Sequence, residues 1–115
     1  MFDINFFEAS DGSKPVEEFL LSLDPQMRTK IMRNILHLKN HGPMLRRPYS
    51  AHLKDGIFEL RTQFSNNITR ILYFFYLDKN IILTNGFTKK TQRTPSKEIE
   101  RALHYRSIYL SRKEL

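Results

Sequence analysis

The run Leu83-Thr84-Asn85-Gly86-Phe87-Thr88-Lys89-Lys90-Thr91-Gln92-Arg93-Thr94-Pro95 carries an apolar strand pattern into three cations within five residues. A helix pattern begins directly afterwards. Cations massed at a strand end can hold an anion against a rigid sheet, and a helix N-terminus beside them attracts anions as well. The chain has a formal charge of +7, with 19 Lys and Arg against 12 Asp and Glu. Phosphate is therefore the first ligand to consider.

Two further cations fall at strand positions, Arg61 and Arg70. Side chains alternate across a strand, so register decides which of them meet. With Asn66-Asn67 as a two-residue turn, position 61 pairs with 72 and position 63 with 70. Arg61, Arg70 and Glu59 then share one face. A two-residue second turn adds Lys89 to that face and sets either Lys89 or Phe87 opposite Arg70. Arg70 opens a very apolar strand, where a cation needs a carboxylate partner or an anionic ligand. The plainer reading is that Arg61 and Arg70 are surface or ion-paired arginines served by Glu59.

Residues 43–56 are irregular and basic, with Arg46, Arg47, Tyr49, His52 and Lys54. His52 can titrate near neutral pH and could move a proton. His37 and His41 have i, i+4 spacing, but no neighbouring acid or cysteine completes a metal set, so a solvated helix face is expected. No phosphate-binding glycine loop, serine nucleophile elbow or carboxylate pair is present. An enzyme built from these residues would work by positioning and by stabilising charge on a phosphate.

The elements that must position these groups are legible. Residues 2–7 alternate as a strand with Phe2, Ile4 and Phe6 on one face. Asp11-Gly12-Ser13 marks a turn, with Ser13 expected to cap a helix whose stripe is Val16, Phe19, Leu20 and Leu23. Asp24-Pro25 starts a second helix, striped with Met27, Ile31, Ile35 and Leu38, and Gly42-Pro43 ends it. After the Asp55-Gly56 turn come strands over 57–64, 68–77 and 81–88, read as a three-stranded antiparallel meander. A last helix spans about 95–110, with Thr94 as its cap. The expected fold is α+β: an N-terminal strand and a helix hairpin packed on an antiparallel sheet, closed by a C-terminal helix.

At 115 residues the chain is one domain able to bury its own core. It has no cysteine, which excludes disulfides and thiolate metal sites and fits a reducing compartment. No apolar run approaches the roughly 18 residues of a membrane span. The N-terminus has no basic region of a signal peptide, so the cytoplasm is expected.

Leu53-Lys54-Asp55-Gly56-Ile57-Phe58-Glu59-Leu60-Arg61, then Arg70-Ile71-Leu72-Tyr73-Phe74, then Asn85 to Pro95 with Glu98, Ile99 and Ala102, resemble the RelE/ParE superfamily of bacterial toxins. More closely they resemble its phage-derived HigB-type subgroup. The resemblance runs over essentially the whole chain, and the last segment is its most specific part. It implies a ribosome-dependent mRNA endoribonuclease that needs no cofactor or metal, because the RNA 2′-hydroxyl is the nucleophile. It assigns the phosphate clamp to Arg61, Arg70, Lys89 and Lys90. Arg46, Arg47, His52, Lys54 and Arg93 would contact RNA. The tyrosine that RelE carries past its basic cluster is missing from residues 91–96, and no histidine follows until His104. His52, Glu59 and Tyr49 are the candidates for proton transfer. The implied partners are a HigA-type helix-turn-helix antitoxin and mRNA on the ribosome.

Two other activities fit the same elements. ParE-type relatives block DNA gyrase without cutting RNA, and a basic nucleic-acid-binding module of this fold would have no activity.

Overall fold

The computed structural model describes residues 1–89 and 93–114, and of Lys89 only the backbone. The architecture is α+β. In chain order the elements are β1 (Asp3–Phe6), α1 (Pro15–Leu21), α2 (Pro25–His41), β2 (Ser50–Lys54), β3 (Ile57–Phe64), β4 (Asn67–Tyr76), β5 (Asn80–Lys89) and α3 (Ser96–Lys113). They form one five-stranded sheet of order β1-β5-β4-β3-β2, with α1 and α2 on one face and α3 on the other.

Strand alternation sorts the core. Leu60, Ile71, Tyr73, Ile81 and Leu83 face the helix hairpin and meet Val16, Leu20, Ile31, Ile35 and Leu38. Ile57, Leu72, Phe74 and Ile82 face the opposite way and meet Phe7 and Ala102. Phe2, Ile4 and Phe6 join the hairpin side, as the alternation in β1 predicts.

The sheet is wider than the expected meander and is not antiparallel throughout. β1 lies parallel to β5, with Ile4 opposite Ile81. The chain leaves β1 into the helix hairpin, so β1 cannot fold back as a hairpin and instead covers the open edge of β5. At the other edge, residues 50–54 were expected to be irregular. They form β2 and pair with β3 through the Asp55-Gly56 turn, where φ is 51° and 81°. The run Ser-Ala-His-Leu-Lys has no β-branched residue, so composition hides the strand and only the hairpin reveals it.

Register differs in detail but keeps the faces. The first turn is Ser65-Asn66, with Ser65 at φ 57°, and Arg61 lies directly opposite Arg70. The pairing moves by two relative to the Asn66-Asn67 turn, and an even shift leaves every side chain on its face. The second connection has three residues, 77–79, and a bulge falls between Leu72 and Tyr73. Each shifts the register by one, and the two cancel. Phe87 stands opposite Arg70 and the backbone of Lys89 opposite Ile68.

Two expected caps are corrected. Asp24 does cap α2, accepting from the Gln26 backbone N–H at 3.0 Å. Ser13 instead turns its N–H and hydroxyl to Asp11, at 3.0 and 2.7 Å, and Lys14 takes the N-cap of α1. Thr94 does not cap α3, because its hydroxyl is committed elsewhere; Pro95 precedes the first turn. Gly86 lies in strand conformation where α1 crosses β5. A Cβ there would come within 2.5 Å of the Phe19 ring, so close helix approach requires glycine.

Candidate functional site

Glu59 is the centre of the cation cluster. It lies on the α3 face of β3 and is 0% exposed. A carboxylate is costly to bury unless its oxygens are satisfied. One oxygen accepts from Arg61 Nε and the other from the Thr94 hydroxyl. The Nε of Arg70 lies 3.7 Å from that second oxygen. Arg61 and Arg70 face each other on adjacent strands, an arrangement that repels when unrelieved. The Glu59 carboxylate between them supplies the relief.

The two arginines differ in access. The Arg61 side chain is 25% exposed and that of Arg70 only 1%. Arg61 forms part of two clefts. One, of about 450 Å³, brings Arg61 together with Arg93, Thr94 and Ser96 at the start of α3. The other, of about 320 Å³, places Tyr49, Lys30 and Asn34 beside Arg61 and Arg70. With its Nε held by Glu59, Arg61 keeps its terminal nitrogens for an anion.

The α3 start is anchored from the sheet. Buried Asn85 donates from Nδ2 to the Glu98 carbonyl at 3.2 Å and to its carboxylate at 3.0 Å. Thr84 donates its hydroxyl to Asn85 Oδ1 at 2.7 Å, which fixes the amide orientation. Thr94–Glu59 and Asn85–Glu98 therefore hold both the approach to α3 and its first turn against β3 and β5.

The remaining expected site residues divide. Arg93 is at the cleft with Arg61. Lys90 and the Lys89 side chain lie outside the described residues. Arg46, Arg47 and His52 are on the hairpin side of the sheet, around a separate cleft with Phe58, Tyr73 and Phe75. Lys54 is exposed near the end of β2 and lines neither cleft that Arg61 shares.

Of the proton-transfer candidates, Glu59 is buried at the cleft it lines with Arg61 and Arg93, and its two oxygens hold Arg61 and Thr94. His52 is placed away from the arginines. Its Nε2 accepts from the Gly56 N–H at 3.2 Å and its ring stands 5.0 Å from that of Phe58. Tyr49 is the candidate that stands with Arg61 and Arg70, and it is 44% exposed. Its backbone carbonyl accepts from the Arg61 N–H at 2.8 Å.

Sequence reading missed Lys30, Asn34 and the role of Thr94. Asn34 donates to Thr62 Oγ1 at 2.9 Å, and Lys30 reaches the Gln63 carbonyl. Lys30 is visible in the sequence only as a polar position on an amphipathic helix. Its cross-element contact with the β3 edge has no local signal. Among the described residues, no group of three or more His, Cys, Asp or Glu is placed to hold a metal. Nor, among them, is any helix long and apolar enough to cross a membrane.

A five-stranded α+β fold with arginines gathered around a buried carboxylate fits a compact, basic, anion-handling domain. Residues 18–107, well over half the chain, match the family described as phage-derived protein Gp49-like, and the chain belongs to that family. It is a RelE/ParE-like toxin family of toxin–antitoxin systems, and membership implies an antitoxin partner. No curated protein matches the chain.

Proposed function

We propose that this protein is a HigB-type toxin that cuts mRNA on the ribosome, and that Arg61 binds the scissile phosphate. The observation that carries the reading is the Glu59–Arg61 pair: a buried carboxylate aims a solvent-reaching guanidinium into a cleft shared with Arg93 and the start of α3. The RNA 2′-hydroxyl loses its proton and attacks the adjacent phosphorus as the P–O5′ bond breaks, leaving a 2′,3′-cyclic phosphate and a protonated 5′-hydroxyl, and negative charge grows on the non-bridging oxygens on the way. Arg61 meets that charge with a guanidinium already oriented by Glu59, and one such donor is worth on the order of 10²–10³ in rate; Arg93 lines the same cleft and adds positive charge. Arg70 lies behind Arg61 and adds positive potential from within. Lys89 and Lys90 complete the clamp in this reading. Tyr49, which lines a cleft with Arg61 and Arg70, exchanges a proton with the reacting hydroxyl or leaving group in this reading. The partners are a HigA-type antitoxin and ribosome-bound mRNA in the cytoplasm.

The test is induction without the antitoxin, followed by primer extension on cellular messages. Discrete cuts within translated messages are expected, and Arg61→Ala should abolish both cuts and growth arrest. Arg70→Ala is the weaker probe, since so buried an arginine also supports the fold. Intact messages accompanied by broken or relaxed chromosomal DNA would overturn the nuclease reading in favour of gyrase inhibition.

A further inference from the structure

The cleft on the hairpin face, about 460 Å³, has no part in the mechanism above. Its floor is aromatic. Phe58 and Phe75 are half-buried there, with ring centroids 5.4 Å apart and edge to face, and Tyr73 lies 5.5 Å from Phe58. Two exposed arginines, Arg46 and Arg47, line it together with His52, and its lining includes no carboxylate. Ser50 and Tyr73, whose buried hydroxyls are bonded to each other, also line it.

Partly exposed aromatic rings beside guanidinium groups suit a flat ring on an anionic backbone, the chemistry of an unpaired nucleotide. An acidic peptide would satisfy the arginines and leave the rings unused. The segment that carries the arginines also links the two sides of the sheet. Arg46 and Arg47 line this cleft, while Pro48 and Tyr49 line the cleft holding Arg61 and Arg70. A single strand crossing residues 46–50 would touch both.

We propose that this cleft is a second RNA subsite, which stacks one unpaired base outside the scissile pair while Arg46 and Arg47 hold its flanking phosphates. The proposal rests on the reading of the protein as an mRNA-binding toxin. The test uses the antitoxin-free protein and a single-stranded 2′-O-methyl RNA oligonucleotide carrying 2-aminopurine, which cannot be cut by its own 2′-oxygen. Wild type should bind it with quenching of the base. R46A/R47A should weaken binding at least tenfold and flatten the salt dependence by about 1.4 log units per log unit of salt, the loss of two phosphate contacts. Phe75→Leu should retain most binding and lose most quenching, with a thermal melt confirming that each variant is folded. Crosslinks from a 4-thiouridine oligonucleotide should map to β3 or β4 peptides containing Phe58 or Phe75.

Wild-type affinity and quenching in both variants would overturn the subsite, and would leave the nuclease standing if messages are still cut in cells. Absent cleavage with quenching that depends on Phe75 would keep the subsite and sink the nuclease. If R46A/R47A loses the antitoxin but not RNA, the cleft is a protein interface and the proposal fails.

Discussion

The hydroxyl of Thr94 donates a hydrogen bond to Oε1 of Glu59, 35 positions away in the chain. The other carboxylate oxygen holds Arg61. One buried group thus fixes both the direction of a cation on β3 and the docking of the segment that leads into α3. Buried polar clusters of this kind are stable when every member is satisfied and fragile when one is removed.

Glu59→Gln keeps the shape of the side chain and removes its charge from between two arginines. Breaking a buried pair in this way costs about 3–5 kcal/mol. The urea denaturation midpoint should fall accordingly. A variant as stable as wild type would show that the carboxylate does not balance the arginine charges. Thr94→Val should cost less, about 1.5–3 kcal/mol, the worth of one hydrogen bond to a charged group.

Arg61→Lys retains the charge but cannot hold Glu59 through Nε while offering two further donors to a phosphate. Message cleavage should fall by about 10²–10³, while the thermal midpoint should fall less than in Glu59→Gln because a positive partner for the Glu59 carboxylate is kept. Full cleavage by the lysine variant on purified ribosomes would show that charge alone, not the aimed guanidinium, is what the site uses.

Gly86→Ala places a methyl group against the Phe19 ring. Overpacking of this kind costs about 1–3 kcal/mol. Combining it with Phe19→Ala, which removes the obstacle, should recover part of that loss. A double-mutant cycle in denaturant measures the coupling, and strict additivity would mean that α1 shifts freely over β5.

Burial pushes the Tyr73 hydroxyl up from 10.0 to about 12, with the Glu59 charge adding to the effect and the Ser50 hydrogen bond opposing it. The folded protein therefore binds this proton more tightly than the unfolded chain does. Its contribution, on the order of 2–3 kcal/mol, is fully present below pH 10 and lost as pH rises from about 10 to about 12. Tyr73→Phe should flatten the fall in stability across that window. An unchanged alkaline slope would place the effect elsewhere.

The sequence carried the helices, the three central strands and the convergence of Arg61 with Arg70 because these rest on local periodicity and on alternation, which survives even register shifts. It did not carry β2, whose residues become a strand only by pairing with β3. It also misread Thr94 and Ser13. Threonine and serine before a proline or a helix look like caps, yet a partner distant in the chain, or an aspartate two residues back, competes for the same hydroxyl. Arg46, Arg47 and His52 are expected to contact RNA, but the sequence does not show that the 46–50 segment places them on the opposite side of the sheet from Arg61 and Arg70. The burial of Glu59 and its bond to Thr94 are equally invisible in the sequence, because the two residues are distant in the chain.

The parallel pairing of β1 with β5 has a consequence for the order of assembly. β1 is made well before its sheet partner and pairs only when Ile81 and its neighbours exist, and Glu59 gains its second donor only after Thr94. A nascent chain thus displays basic side chains long before it holds them in a working arrangement. The arrangement around Glu59 therefore forms in one step once residue 94 is made, rather than building up gradually along the chain.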